Sequence, residues 1–177
     1  MLQEYYRQAQ PHTRLGSLVL HMLKRPGEPA KLRAKAGETR CLVDFAWQEA
    51  SRVAQHGASR RWELLLAATA ALHHLSAMVK VWPWPKEVAV GHVRCLMRAW
   101  GELAALDEGL FRIRPKFHLL HHLVSEVAPT HGPPALFWCY QDEDWGGQAA
   151  KVAARRGGHK SPVTTASRTL CRLLALL

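Results

Sequence analysis

Arg60-Arg61-Trp62-Glu63-Leu64-Leu65-Leu66-Ala67-Ala68-Thr69-Ala70-Ala71-Leu72-His73-His74-Leu75 is the stretch that decides the fold. Leucine and alanine, both strong helix formers, dominate it, and the β-branched side chains that suit strands are nearly missing. The composition predicts a helix over 60–80, the most apolar in the chain and therefore central. Its apolar run, Leu64 to Leu75, is roughly two-thirds of the ~20 residues that cross a bilayer, and it already contains His73 and His74. No membrane span is expected, and His73-His74, inside this apolar helix, is read as packing or capping in preference to coordinating a metal.

Working outward, Ser59 is placed to start this helix, with Glu63 in its first turn answering as a capping box if the cap shifts by one residue. Upstream, a helix is expected over 31–56, in which Leu42, Val43, Phe45, Ala46, Glu49 and Val53 mix a buried stripe with acids, Arg40 and Arg52 lie outside, and Gly57 is the C-cap. Before it, Thr13 is a candidate N-cap for a helix to Lys24, and a short helix over 1–9 ends ahead of Pro11. Downstream, Trp82-Pro83-Trp84-Pro85 cannot lie inside a helix and reads as a stiff corner. From Pro85 a helix runs to about Leu106, burying Val88, Val93, Leu96, Trp100 and Leu103. Further helices are expected over 115–127, closed by Pro129 with His131-Gly132-Pro133-Pro134, and then, after a short extended segment from Ala135 to Tyr140, over 142–154 and 162–177. The expected fold is all-α, a single domain over 1–177 forming an irregular bundle of about seven helices.

With 177 residues the chain can bury one real core. Its 24 Lys and Arg exceed 14 Asp and Glu, giving +10 with neutral histidines. Such an excess favours polyanions, above all nucleic acid. Cys41, Cys95, Cys139 and Cys171 show no CxxC spacing, which speaks against a zinc ribbon or a disulfide framework and for thiols in a reducing compartment. The N-terminal residues lack a basic segment followed by an apolar one, so no secretory signal is evident and an intracellular, potentially nuclear, location is expected.

The chemistry-bearing residues concentrate after Arg114. His118 and His122 are four apart and share a helix face, with His121 one turn from His118. Two imidazoles at that spacing can grip one transition metal, and a carboxylate from Asp142, Glu143 or Asp144 could complete the shell; Zn²⁺ and Mg²⁺ are the candidate ions, with Asp142 the candidate third ligand. HxxHH lacks the glutamate of a hydrolytic HExxH, and neither GxSxG nor GxxxxGK[ST] occurs. Lys151, Arg155, Arg156, Lys160, Arg168 and Arg172 cluster around Gly157-Gly158, a composition suited to phosphate contacts. Trp82 and Trp84 are the tryptophans considered for base stacking.

Pro115-Lys116-Phe117-His118 through His122-Leu123, then Gly132-Pro133, then Phe137-Trp138 leading to the acids, resembles the late region of CACTA-type and related eukaryotic transposases over residues 111–160. The resemblance implies the helical C-terminal part of an RNase-H-like, Mg²⁺-dependent DNA-cutting enzyme, with Glu143 matching the family's last carboxylate as a catalytic residue. The two earlier strand-borne aspartates of such nucleases have no evident counterpart here, so the resemblance implies a truncated or domesticated piece without independent catalysis. The functional expectation is a basic nucleic-acid-binding protein. Lys116, Arg155, Arg156, Lys160 and Arg168 would contact phosphates, while His118, His122 and an acid would organise the centre. The alternatives are a metal enzyme on that centre or a helical interaction module.

Overall fold

The chain folds as an all-α protein, seen in a computed structural model that describes residues 1–10, 14–23, 32, 34–57 and 59–137. The described elements are α1 (Leu2–Ala9), α2 (Leu20–Leu23), α3 (Ala36–His56), α4 (Arg60–Met78), α5 (Lys86–Leu106) and α6 (Lys116–His122). The last of these continues through a π turn (Leu123–Val127) into a final α-helical turn (Ala128–His131), and a 3₁₀ turn (Pro134–Leu136) follows. This gives six helices among the described residues, close to the number expected. Residues Met1–Phe137 form one compact unit. The helices expected over 142–154 and 162–177 lie outside the described residues.

Helix α4 is central because it is apolar on more than one side. It packs between α3 and α5, and α5 in turn carries α6 and the π turn. Leu64, Ala68, Ala71 and Leu75 of α4 meet Ala89, Val93, Leu96, Ala99 and Leu103 of α5, with Val124 and Ala128 closing the far side. Alanines on both helices let the backbones approach, and the leucines and valine fill the space between them. Val88, expected inside, is 54% exposed, while Ala89 is fully buried in its stead. The more apolar side chain loses the inward place because Ala89, four residues before Val93 and seven before Leu96, shares their face and Val88 does not. The ends of this helix pair are clamped by ion pairs: Arg60 with Glu102, and Arg61 with Asp107 at 3.7 Å. Glu63 pairs with Arg60 at 3.3 Å instead of capping, and α4 starts through the Ser59 carbonyl, not the Ser59 hydroxyl.

Three boundaries differ from the sequence reading. In the helix expected from 13 to 24, residues 14–19 are not helical and Leu20–Leu23 are, because the Leu15 amide donates to the buried Tyr6 hydroxyl at 2.9 Å and Leu15 itself is buried; Thr13 and Lys24 lie outside the described residues. Helix α3 starts at Ala36, not near residue 31, where the Glu38 carboxylate accepts the Lys35 amide at 2.8 Å. Ala135 lies in a 3₁₀ turn, not in an extended segment, since Pro133 and Pro134 fix their own φ and their carbonyls accept the amides of Leu136 and Phe137. At the other end of the chain, Tyr5 ties α1 to α3 by donating to the Cys41 carbonyl at 3.0 Å. Burial first, and then the nearby Asp44, raise its phenol and keep the donor protonated.

Pro129 does not end its helix. Within the π turn the Ala128 amide donates back to the Leu123 carbonyl, one residue further than an α-helix allows, so the Val124 carbonyl loses its usual donor. The next donor in π register would be residue 129, and proline has none. Trp84 supplies the missing proton: its indole Nε1 donates to the Val124 carbonyl at 2.9 Å, in buried surroundings. The helix therefore passes the proline and stops only at Gly132, whose φ of 95° is open to glycine and strained for other residues.

Candidate functional site

The α5–α6 connection brings the first candidate group together. Trp100 of α5 is the anchor: Phe111 and Phe117 pack against its ring at centroid distances of 5.6 and 5.5 Å, and its indole donates to the Arg112 carbonyl at 3.3 Å. This apolar footing holds the connection against the end of α5 while Arg112, Arg114 and Lys116 point outward, all exposed. Arg94 and Arg98, four apart on the outer face of α5, are exposed too, as are Lys80 and Lys86 at the corner that precedes it. None of these seven cations forms an ion pair among the described residues. The contrast is with Arg7, Arg52, Arg60 and Arg61, each of which sits on a carboxylate.

Lys116 is thus where the sequence reading put it, on the surface at the start of α6. Arg94, Arg98, Arg112 and Arg114 were missed by that reading. For Arg94 and Arg98 a signal existed, since i,i+4 cations opposite an apolar stripe mark an outward helix face. Arg155, Arg156, Lys160 and Arg168 lie outside the described residues. Of the two corner tryptophans, Trp84 is buried and committed to Val124, so it cannot stack a base, while Trp82 is 63% exposed.

The second group is on α6. His118 and His122 share one face as their spacing requires, with Nε2 atoms 3.0 Å apart and rings nearly perpendicular at 4.3 Å between centroids. The other nitrogen of His122, Nδ1, lies 2.9 Å from a carboxylate oxygen of Glu126, a further four residues on. His121 points elsewhere, its ring centroid 6.3 Å from that of His122. Among the described residues no third His, Cys, Asp or Glu joins the pair to make a ligand set of three. Asp142, Glu143 and Asp144 lie outside the described residues, so the expected meeting of imidazoles and acids is not addressed by this geometry.

A third cluster spans α3, α4 and α5. Trp47 stacks on His73 at 4.1 Å, His73 meets His74 edge-on at 5.3 Å, and His74 stacks on His92 at 5.0 Å. Asp44 receives the His73 Nδ1 at 2.7 Å. Burial first, then repulsion from His74, lowers the pKa of His92 below the ordinary imidazole range. The pairing of His73 and His74 with neighbouring rings agrees with the packing role read from the sequence.

No protein-family profile, curated protein or solved structure matches the chain. Among the described residues no helix is long and apolar enough to cross a membrane.

Proposed function

We propose that this chain is a basic helical nucleic-acid-binding protein to which no catalytic step of its own need be assigned. The observation that carries the reading is a set of seven exposed cations between Lys80 and Lys116 that form no ion pair among the described residues. They are Lys80, Lys86, Arg94, Arg98, Arg112, Arg114 and Lys116, although Glu102 and Asp107 of the same span hold Arg60 and Arg61. Unpaired guanidinium and ammonium groups on a rigid footing meet phosphates without first breaking an internal ion pair. The chain's net +10 adds long-range attraction for a polyanion, and the likeness of residues 111–160 to transposase C-terminal regions points the same way.

Binding of this kind releases condensed counterions, so its affinity must fall steeply with salt, with a slope near −0.9 per neutralised phosphate on duplex DNA. Fluorescence anisotropy with labelled duplex DNA and single-stranded RNA over a range of NaCl concentrations measures that slope. Replacing Arg112, Arg114 and Lys116 together by glutamine is expected to make it shallower by about 2 to 3 while leaving helicity unchanged. Absence of binding at low salt, or a slope unaffected by the triple substitution, would overturn the assignment of these groups.

A further inference from the structure

We propose that His118 and His122 form a surface chelate for a divalent transition-metal ion of the copper and nickel class, with Glu126 as its positioning residue. The His118 and His122 Nε2 atoms face each other at hydrogen-bond distance in the free protein, and an ion that takes the place of that bond needs the His118 proton moved to Nδ1 so that both Nε2 lone pairs are free. Two cis ligands at ~2.05 Å from a metal, meeting it at a right angle, stand ~2.9 Å apart, and at a tetrahedral angle ~3.3 Å. The observed Nε2–Nε2 distance of 3.0 Å lies between these two edges, so either ligand angle is within reach of small side-chain adjustments.

The remaining nitrogen of His122 is occupied in the way ligating histidines usually require. Nδ1 faces the Glu126 carboxylate at 2.9 Å, which fixes the tautomer with the proton on Nδ1 and leaves the Nε2 lone pair directed at its neighbour. Both imidazoles are solvent-accessible, so a hydrated ion can reach them and keep water at its other positions. Neutral nitrogen donors of this kind prefer Cu²⁺, then Ni²⁺ or Zn²⁺, and offer little to Mg²⁺, an oxygen-seeking ion. The chelate needs no acid from residues 142–144 and is independent of the nucleic-acid reading.

Cu²⁺ is the probe. With the full chain, electron paramagnetic resonance at one equivalent should report nitrogen coordination, and competition against a chelator gives the affinity. His118→Asn and His122→Asn should each lose tenfold or more, and His121→Asn should bind like the parent. Glu126→Gln should weaken binding by up to about tenfold, the low end for an outer-shell carboxylate. All these side chains lie at or near the surface, so circular dichroism should be unchanged. If the His118→Asn/His122→Asn double variant binds Cu²⁺ as tightly as the parent, the site does not exist. If Glu126→Gln alone has no effect, Glu126 is not part of it.

Discussion

Trp84 and Pro129 are 45 positions apart in sequence and answer the same need, the one unsupplied carbonyl at Val124. Trp84→Phe keeps most of the ring volume and removes the donor, so a buried acceptor is left unpaired at a cost of about 1 to 3 kcal/mol, measurable by urea unfolding. Pro129→Ala supplies an amide in π register, and in the Trp84→Phe background it should recover part of that loss. A double-mutant cycle with no coupling between the two positions would refute the link. His92 makes a separate prediction. Its folded pKa is lowered, so the unfolded chain takes up that proton more readily. The associated stability is therefore whole above the free imidazole's ~6.5 and is lost as pH falls through that value towards the lower folded pKa. His92→Phe, which keeps a ring against His74, should flatten the pH dependence of unfolding across this window. His73, His74 and Asp44 remain as the other titrating groups of the cluster.

At the level of elements, the strongest demand is the α4–α5 contact. Leu103 is fully buried there, and Leu103→Ala should destabilise by about 2 to 5 kcal/mol with an unchanged denaturant slope. Gly132→Ala is expected to cost about 1 to 3 kcal/mol, because φ is 95° and an added Cβ would lie 3.0 Å from Leu136 Cδ1. For the helices among the described residues, element type was legible because leucine and alanine leave little room for strands; the segment from Ala135 was read as extended and is a 3₁₀ turn. Boundaries were less legible. Thr13 to Lys24 has helical spacing, yet the Tyr6 hydroxyl takes the Leu15 amide, a partner invisible to any local window. Pro129 read as a stop, and only the π turn and a tryptophan from the preceding corner explain why it is not one. Ala89 takes the inward place expected for Val88 because helix phase relative to Val93 and Leu96, and not hydrophobicity, decides which position faces the core.

Over the whole molecule, charge was legible in amount but not in arrangement. The excess of cations is plain from composition; that acids pair with arginines of α1, α3 and α4 and leave seven cations between Lys80 and Lys116 without an ion pair among the described residues depends on packing. The histidine pair of α6 followed from spacing, and the same rule extended by one more turn would have included Glu126. Mutual repulsion among the unpaired cations predicts that the melting temperature rises when ionic strength goes from low to physiological, and that the triple glutamine variant gains less from the same salt. Scanning calorimetry across that range tests both. The indole–carbonyl bond that relieves the π turn also has an optical consequence. Trp84 is the one buried tryptophan among the described residues, so its emission should be blue-shifted against that of Trp62 and Trp82. Any event that loosens α6 from the corner would redden that component first, giving the protein a built-in gauge of whether its histidine-bearing helix is seated.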